Sequence, residues 1–122
     1  MSEIRANTLS NAAGTGPVAL TGQSPAKVYA QIDMDTPALR GSFNVASLTD
    51  NGTGRMQPNF TNAMADALYA TVANASENTS TSAQFTAVNS RTTVKMEANT
   101  TNDSRGLVDL VNQDAVAFGD LA

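Results

Sequence analysis

Only 23 of the 122 residues are Leu, Ile, Val or Phe. At about 19% the chain sits near the level where a polypeptide struggles to assemble a core. Disorder normally also needs high net charge, yet only 15% of the residues are charged and the net charge is −4. The rest is dominated by 20 Ala, 15 Thr, 12 Asn and 10 Ser, while Lys and Glu number five together. Thr forms strands readily, and Lys and Glu are the usual residues of exposed helix faces. The composition therefore points to a small all-β protein with a thin core. Chains of this size often compensate by oligomerising. One domain fits the length; two do not.

Several function classes drop out. His and Cys are absent, which removes Ser-His-Asp and Cys-His nucleophile systems, thiolate chemistry, disulfides, and zinc or haem sites with their usual ligands. No enzyme and no cofactor are expected. A mildly acidic chain with dispersed basic residues is a poor partner for nucleic acid or an anionic membrane. No apolar run approaches the roughly 20 residues of a membrane span. The residues Met1-Ser2-Glu3-Ile4-Arg5-Ala6-Asn7 lack the basic start and apolar stretch of a signal peptide, so export through that route is not expected.

Residues 1–26 read as an extended arm. Ala12-Ala13-Gly14-Thr15-Gly16-Pro17 breaks it into two pieces, the first carrying Ile4 and Leu9, the second Val18 and Leu20. Four apolar side chains cannot build a core, so the arm either pairs with its own domain or docks on another protein, where strand pairing would supply affinity. The body spans 27–122. Val28, Ala30 and Ile32 alternate as a first strand, interrupted at Asp33–Pro37. Ser42–Leu48 reads as a second. Asp50-Asn51-Gly52-Thr53-Gly54 follows, and Asn51-Gly52 is a strong hairpin signal because both residues tolerate positive φ. Met56–Thr61 returns antiparallel, with Pro58 implying an edge strand or a bulge.

Asn62–Ala67 could form a helical turn capped by Asn62. Leu68, Ala70 and Val72 alternate with Tyr69, Thr71 and Ala73. A polar loop spans 74–82. Phe85 and Ala87 mark a short strand, and Val94, Met96 and Ala98 a clean in-out pattern. Asn99–Ser104 reads as a turn, with last strands at 107–111 and 115–118. Short strands at this spacing predict an antiparallel β-sandwich of jelly-roll type. Phe43, Val45, Phe60, Val94, Met96 and Phe118 are expected to form the core of the body or of an oligomer.

The candidate chemistry is sparse. Asp33 and Asp35 stand two apart, as metal ligands or an acid pair would, but the calcium-loop pattern is missing and solvated turn aspartates are the expected reading. Asp109, Asp114 and Asp120 read as a solvent face. Gly14, Gly16, Gly52 and Gly54 lack the Gly-Lys-Ser/Thr context of a phosphate loop. Glycosylation sequons at Asn51, Asn59, Asn74, Asn78, Asn99 and Asn102 arise by chance in so Asn- and Thr-rich a chain. Met56 and Met96 read as core filler.

Two stretches carry a resemblance. Ser2–Leu9 with Ala13–Ser24, and Ser42–Gly54 with Asn59–Tyr69, together with the ending Val116-Ala117-Phe118-Gly119-Asp120, resemble fibre and virion decoration proteins of tailed bacteriophages, notably marine phages. Arg55-Met56-Gln57-Pro58 departs from the alternating aromatic and β-branched strand usual there. The resemblance implies a β-rich homotrimer in the virion, made in the host cytoplasm. As a head decoration (cement) protein or short head fibre, its arm would lie on the major capsid protein. As a tail fibre or tip, it would meet a host surface receptor. A carbohydrate-binding or adhesin module is the remaining alternative, poorly served by two tyrosines and no tryptophan.

Overall fold

A computed structural model describes residues 25–76 and 84–122. The attachment candidates Ile4, Leu9, Val18 and Leu20 lie outside them. Eight strands follow in order: β1 (Val28–Asp33), β2 (Ala38–Phe43), β3 (Val45–Asp50), β4 (Arg55–Phe60), β5 (Ala70–Ser76), β6 (Phe85–Thr92), β7 (Lys95–Thr101) and β8 (Asn112–Phe118). They form two four-stranded sheets, β2-β1-β8-β5 and β3-β4-β7-β6. Every pairing is antiparallel, and the sheets face each other as a sandwich. The body is all-β, as its composition implies.

The first strand follows its alternation. Val28, Ala30 and Ile32 are buried while Tyr29 and Gln31 face out. The expected second strand, Ser42–Leu48, is split at Asn44, whose φ is 58°. Asn tolerates this left-handed conformation better than other side chains. Its amide also fastens the corner, since Oδ1 accepts from Asn62 N–H at 2.7 Å and Nδ2 donates to the Asn62 carbonyl at 3.0 Å. The chain thereby leaves one sheet and enters the other.

The β3–β4 hairpin forms at the expected place but is wider than an Asn-Gly turn. Asn51 N–H donates to the Arg55 carbonyl and Arg55 N–H to the Gly52 carbonyl, both at 2.9 Å. Positive φ falls on Gly52 (102°) and Gly54 (71°), not on Asn51. A Cβ on Gly52 would meet nothing within 4 Å, so only the backbone conformation penalises a side chain there. Gly52→Val should cost about 1–3 kcal/mol, read as a lower melting temperature. An unchanged melt would show that the turn accepts an ordinary residue.

Other elements depart from expectation. Pro58 lies neither on an edge strand nor at a bulge. β4 is interior and Pro58 is fully buried. The β4–β7 pairing instead skips Gln57 and Pro58 and resumes at Asn59↔Lys95 in the same register as Met56↔Ala98, so the missing proline N–H falls in a gap of the ladder. Residues 62–67 form bends rather than a helical turn. Met64 bridges to Leu121, and Ala65 N–H donates to the Asp120 carbonyl at 2.8 Å. Residues 107–111 make a single bridge, Thr101↔Leu107, instead of a strand.

The core uses small side chains and methionine. One cluster joins Val28, Phe60, Met64, Tyr69, Met96, Ala115 and Ala117; the other joins Ala30, Ile32, Met34, Met56, Ala75 and Leu110. Four methionines are exposed by 1% or less, their flexible thioethers filling the space above alanines that a stiffer side chain would leave. Of the expected core residues, Phe60 and Met96 are buried and Val45 packs against both clusters. Three are not in the body's core. Val94 sits in the β6–β7 turn, 52% exposed. Phe118 is half-buried, because Ala115 and Ala117 take the inward side of β8, and Phe43 is exposed because it stands opposite the outward-facing Tyr29.

Candidate interaction surface

Cross-strand register places apolar side chains in one line on the outer face of the β2-β1-β8-β5 sheet. Phe43 pairs with Tyr29, Tyr29 with Val116, and Val116 with Val72. Directly opposed residues on a sheet share a face. The rings of Tyr29 and Phe43 stack, 6.5 Å apart and 17° from parallel. Phe43 is 54% exposed and Val72 62%. Ala70 beside Phe118 extends the row, and Leu68, 87% exposed, stands before β5. A cavity of about 220 Å³ opens there between Leu68, Ala70, Phe118 and Gly119, with Asp66 and Asp120 also lining it.

The rest of this face is polar. Gly41, Gln31, Asp114 and Asn74 make the next row. Beyond it Arg40 donates to Asp33 at 2.6 Å and to Asn112. Asp33 Oδ1 also accepts from the N–H groups of Asp35 (3.1 Å) and Thr36 (3.2 Å). The hydrogen bond from Arg40, and then that from Thr36, hold the Asp33 carboxyl below its usual range. The Asp33/Asp35 pair is thus a turn-capping aspartate with a neighbour.

Asp109, Asp114 and Asp120 are not brought together. Asp109 Oδ1 accepts from Gly54 N–H at 2.7 Å, Asp114 lies in the polar row, and Asp120 is at the cavity. Among the described residues no cluster of three acidic side chains could hold a metal ion.

The outer face of the other sheet carries Phe85, 61% exposed, at its β6 edge, and beside it a network of amides, hydroxyls and an ion pair. Glu97, 7% exposed, accepts from Asn51 Nδ2 at 2.6 Å and from Arg55 at 3.2 Å. Asn59 Nδ2 donates to Ser47 Oγ at 3.1 Å and Thr49 Oγ1 at 2.9 Å. These groups are largely spent on one another and fix the hairpin to β7. Asn51 thus does more than turn the chain, a role its Asn-Gly context does not reveal.

Comparison with family models, curated proteins and solved structures finds no match to this chain.

The row was half legible in the sequence. Leu68, Ala70 and Val72 alternate visibly, but alternation defines two faces without saying which is inside. The row itself appears only once four strands from distant parts of the chain are in register.

Proposed function

We propose that the chain is a structural subunit of a tailed-bacteriophage virion, a head decoration (cement) protein or short head fibre assembled as a homotrimer. The observation that supports this best is the apolar row. A body with so few large apolar residues leaves Phe43, Tyr29, Val72 and Leu68 at least 41% exposed on one face. The largest apolar patch on a small monomer is often a functional surface. Burying this one between subunits adds the apolar area that a thin core lacks. The resemblance of the hairpin and arm sequences to decoration proteins supplies the setting. In this reading residues 1–26 hold the subunit to the major capsid protein through Ile4, Leu9, Val18 and Leu20, and the polar sheet faces solvent.

The test is quantitative mass spectrometry of purified particles of the phage that encodes the chain. Hundreds of copies per particle are expected. A handful would move the protein to the tail, and absence from the particle would refute the virion reading.

A further inference from the structure

Independently of the virion reading, we propose that Asn51 is this chain's site of spontaneous deamidation, kept closed by the docked hairpin, and that the modified loop no longer docks as before. Of the 12 asparagines only Asn51 precedes a glycine. The reaction needs no enzyme. The Gly52 backbone nitrogen attacks the Asn51 side-chain carbonyl carbon and gives up its proton. A new C–N bond closes a cyclic imide, and the Asn51 amide nitrogen takes up a proton and leaves as ammonia. Water, the one co-reactant, then opens either carbonyl of the ring. The product at position 51 is aspartate, or its isomer in which the main chain runs through the side-chain carboxyl. A side chain on the following residue crowds this attack. Gly52 has none, and nothing lies within 4 Å of where its Cβ would stand.

Burial does not protect the site. Asn51, Gly52 and Thr53 are all exposed, so water reaches it. Hydrogen bonds on both reacting groups hold the reaction back. The Gly52 N–H, whose nitrogen must attack, donates to Asp50 Oδ1 at 2.8 Å. The Asn51 carboxamide is tethered to β7, its Nδ2 donating to Glu97 Oε2 at 2.6 Å, so it is not free to swing onto Gly52. That acceptor also works against departure, since the leaving nitrogen needs a proton and a carboxylate only accepts one. Negative charge would gather on Asn51 Oδ1 during the attack, yet this oxygen receives no hydrogen bond among the described residues, so nothing stabilises the addition. Modification therefore requires the loop to let go of β7, and its rate follows the population of that local opening.

After reaction the opening is permanent. Glu97 is 7% exposed, and its carboxylate is met by Arg55 at 3.2 Å and by the Asn51 amide. Deamidation turns that amide donor into a second carboxylate facing the first, with Asp50 next in the chain. One hydrogen bond is lost and a like-charge contact replaces it where little water screens it, with Arg55 alone to offset both. In the isomerised product the main chain also gains a carbon between residues 51 and 52. This spoils the spacing of the two 2.9 Å turn bonds, Asn51 N–H to the Arg55 carbonyl and Arg55 N–H to the Gly52 carbonyl.

The experiment follows the full-length chain by peptide mapping and mass spectrometry at neutral pH, in native buffer and in concentrated urea, with circular dichroism and thermal melts alongside. In urea Asn51 should convert before any other asparagine. In native buffer its conversion should be at least about tenfold slower, because the closed loop reacts only through its rare opening. Glu97→Ala releases the carboxamide and should convert faster than wild type in native buffer, but at the wild-type rate in urea. Asn51→Asp reproduces the product with an unaltered main chain. It should melt below wild type, and below Asn51→Ala, which loses the donor without adding the charge. Another asparagine converting first in urea, or equal rates in buffer and urea, would overturn the guarded site. So would a folded Glu97→Ala that converts no faster than wild type. An Asn51→Asp chain that melts with wild type would overturn the lasting effect on docking. Where Glu97→Ala does not keep the wild-type spectrum, the buffer-to-urea ratio and the Asn51→Asp melt decide.

Discussion

Gly54→Ala should cost about 3–5 kcal/mol, more than any substitution at Gly52, although both glycines stand in the same hairpin loop. Gly54 has φ of 71°, where an L side chain is already strained. A Cβ would also lie 2.6 Å from the Thr100 carbonyl oxygen and 2.8 Å from the Val108 amide nitrogen. Both are backbone atoms and cannot swing aside as a flexible side chain would. Two contacts tie the loop down, Thr100 N–H donating to the Gly54 carbonyl at 2.8 Å and Gly54 N–H donating to Asp109 at 2.7 Å, and the atoms it presses on are themselves joined, Val108 N–H donating to the Thr100 carbonyl at 3.1 Å. Any shift that relieves the clash strains these bonds. At roughly 4 °C per kcal/mol for a domain of this size, the melting temperature should fall by about 10–20 °C. Gly52→Ala should lose only a few degrees, since open space surrounds it. Equal shifts in the two variants would mean that the loop is not docked on β7.

The contrast shows what the sequence can and cannot reveal. Asp-Asn-Gly-Thr-Gly announces a hairpin, because positive φ is cheap for those residues. It does not say which glycine is pressed against a neighbour, since that neighbour is Thr100, far along the chain. The same limit explains the face of β5. Leu68, Ala70 and Val72 look like the natural core stripe. Yet Tyr69 and Ala75 are buried, with Thr71 and Ala73 half-buried beside them, and the more apolar stripe faces out. Burial is set by what fits between two close sheets. Alanines on β8 and long methionines from other strands and loops already fill that space. Gln113 makes the point from the polar side. It reads as a surface residue but is fully buried, its Nε2 donating to Thr100 Oγ1 at 2.8 Å. Strands with a single-period pattern, such as Val28, Ala30 and Ile32, were legible because one side is plainly polar. The break at Asn44 was not, since Phe43 and Val45 continue the alternation on either side of it.

Tyr69→Ala should be the other strongly destabilising change, at about 3–5 kcal/mol for a buried aromatic truncated to a methyl. Tyr69 leads into β5 of one sheet and reaches the β6–β7 turn of the other. Its hydroxyl lies 2.9 Å from the Lys95 carbonyl and 3.1 Å from that of Thr92. Its ring meets Phe60 edge-on at 6.0 Å, and its own carbonyl accepts from Arg91 at 3.0 Å. The residue therefore fastens the two sheets beside the proposed subunit contact. Tyr69→Phe isolates the hydroxyl. It keeps the ring and should cost about 1–2 kcal/mol at neutral pH, the cost of leaving buried carbonyls without their donor.

The pH dependence separates the two contributions further. Burial, opposed in part by the Arg91 charge, pushes the Tyr69 hydroxyl from 10.0 up to about 12. A folded value above the unfolded one means the native state favours the protonated phenol. This contribution is complete below the unfolded value and is lost as pH rises through the folded one. Wild type should therefore lose stability between about pH 10 and 12 more steeply than Tyr69→Phe does, in melts taken across that range. If both fall with the same slope, the hydroxyl ionises freely in the folded protein, and its role as a tie between the sheets fails with it.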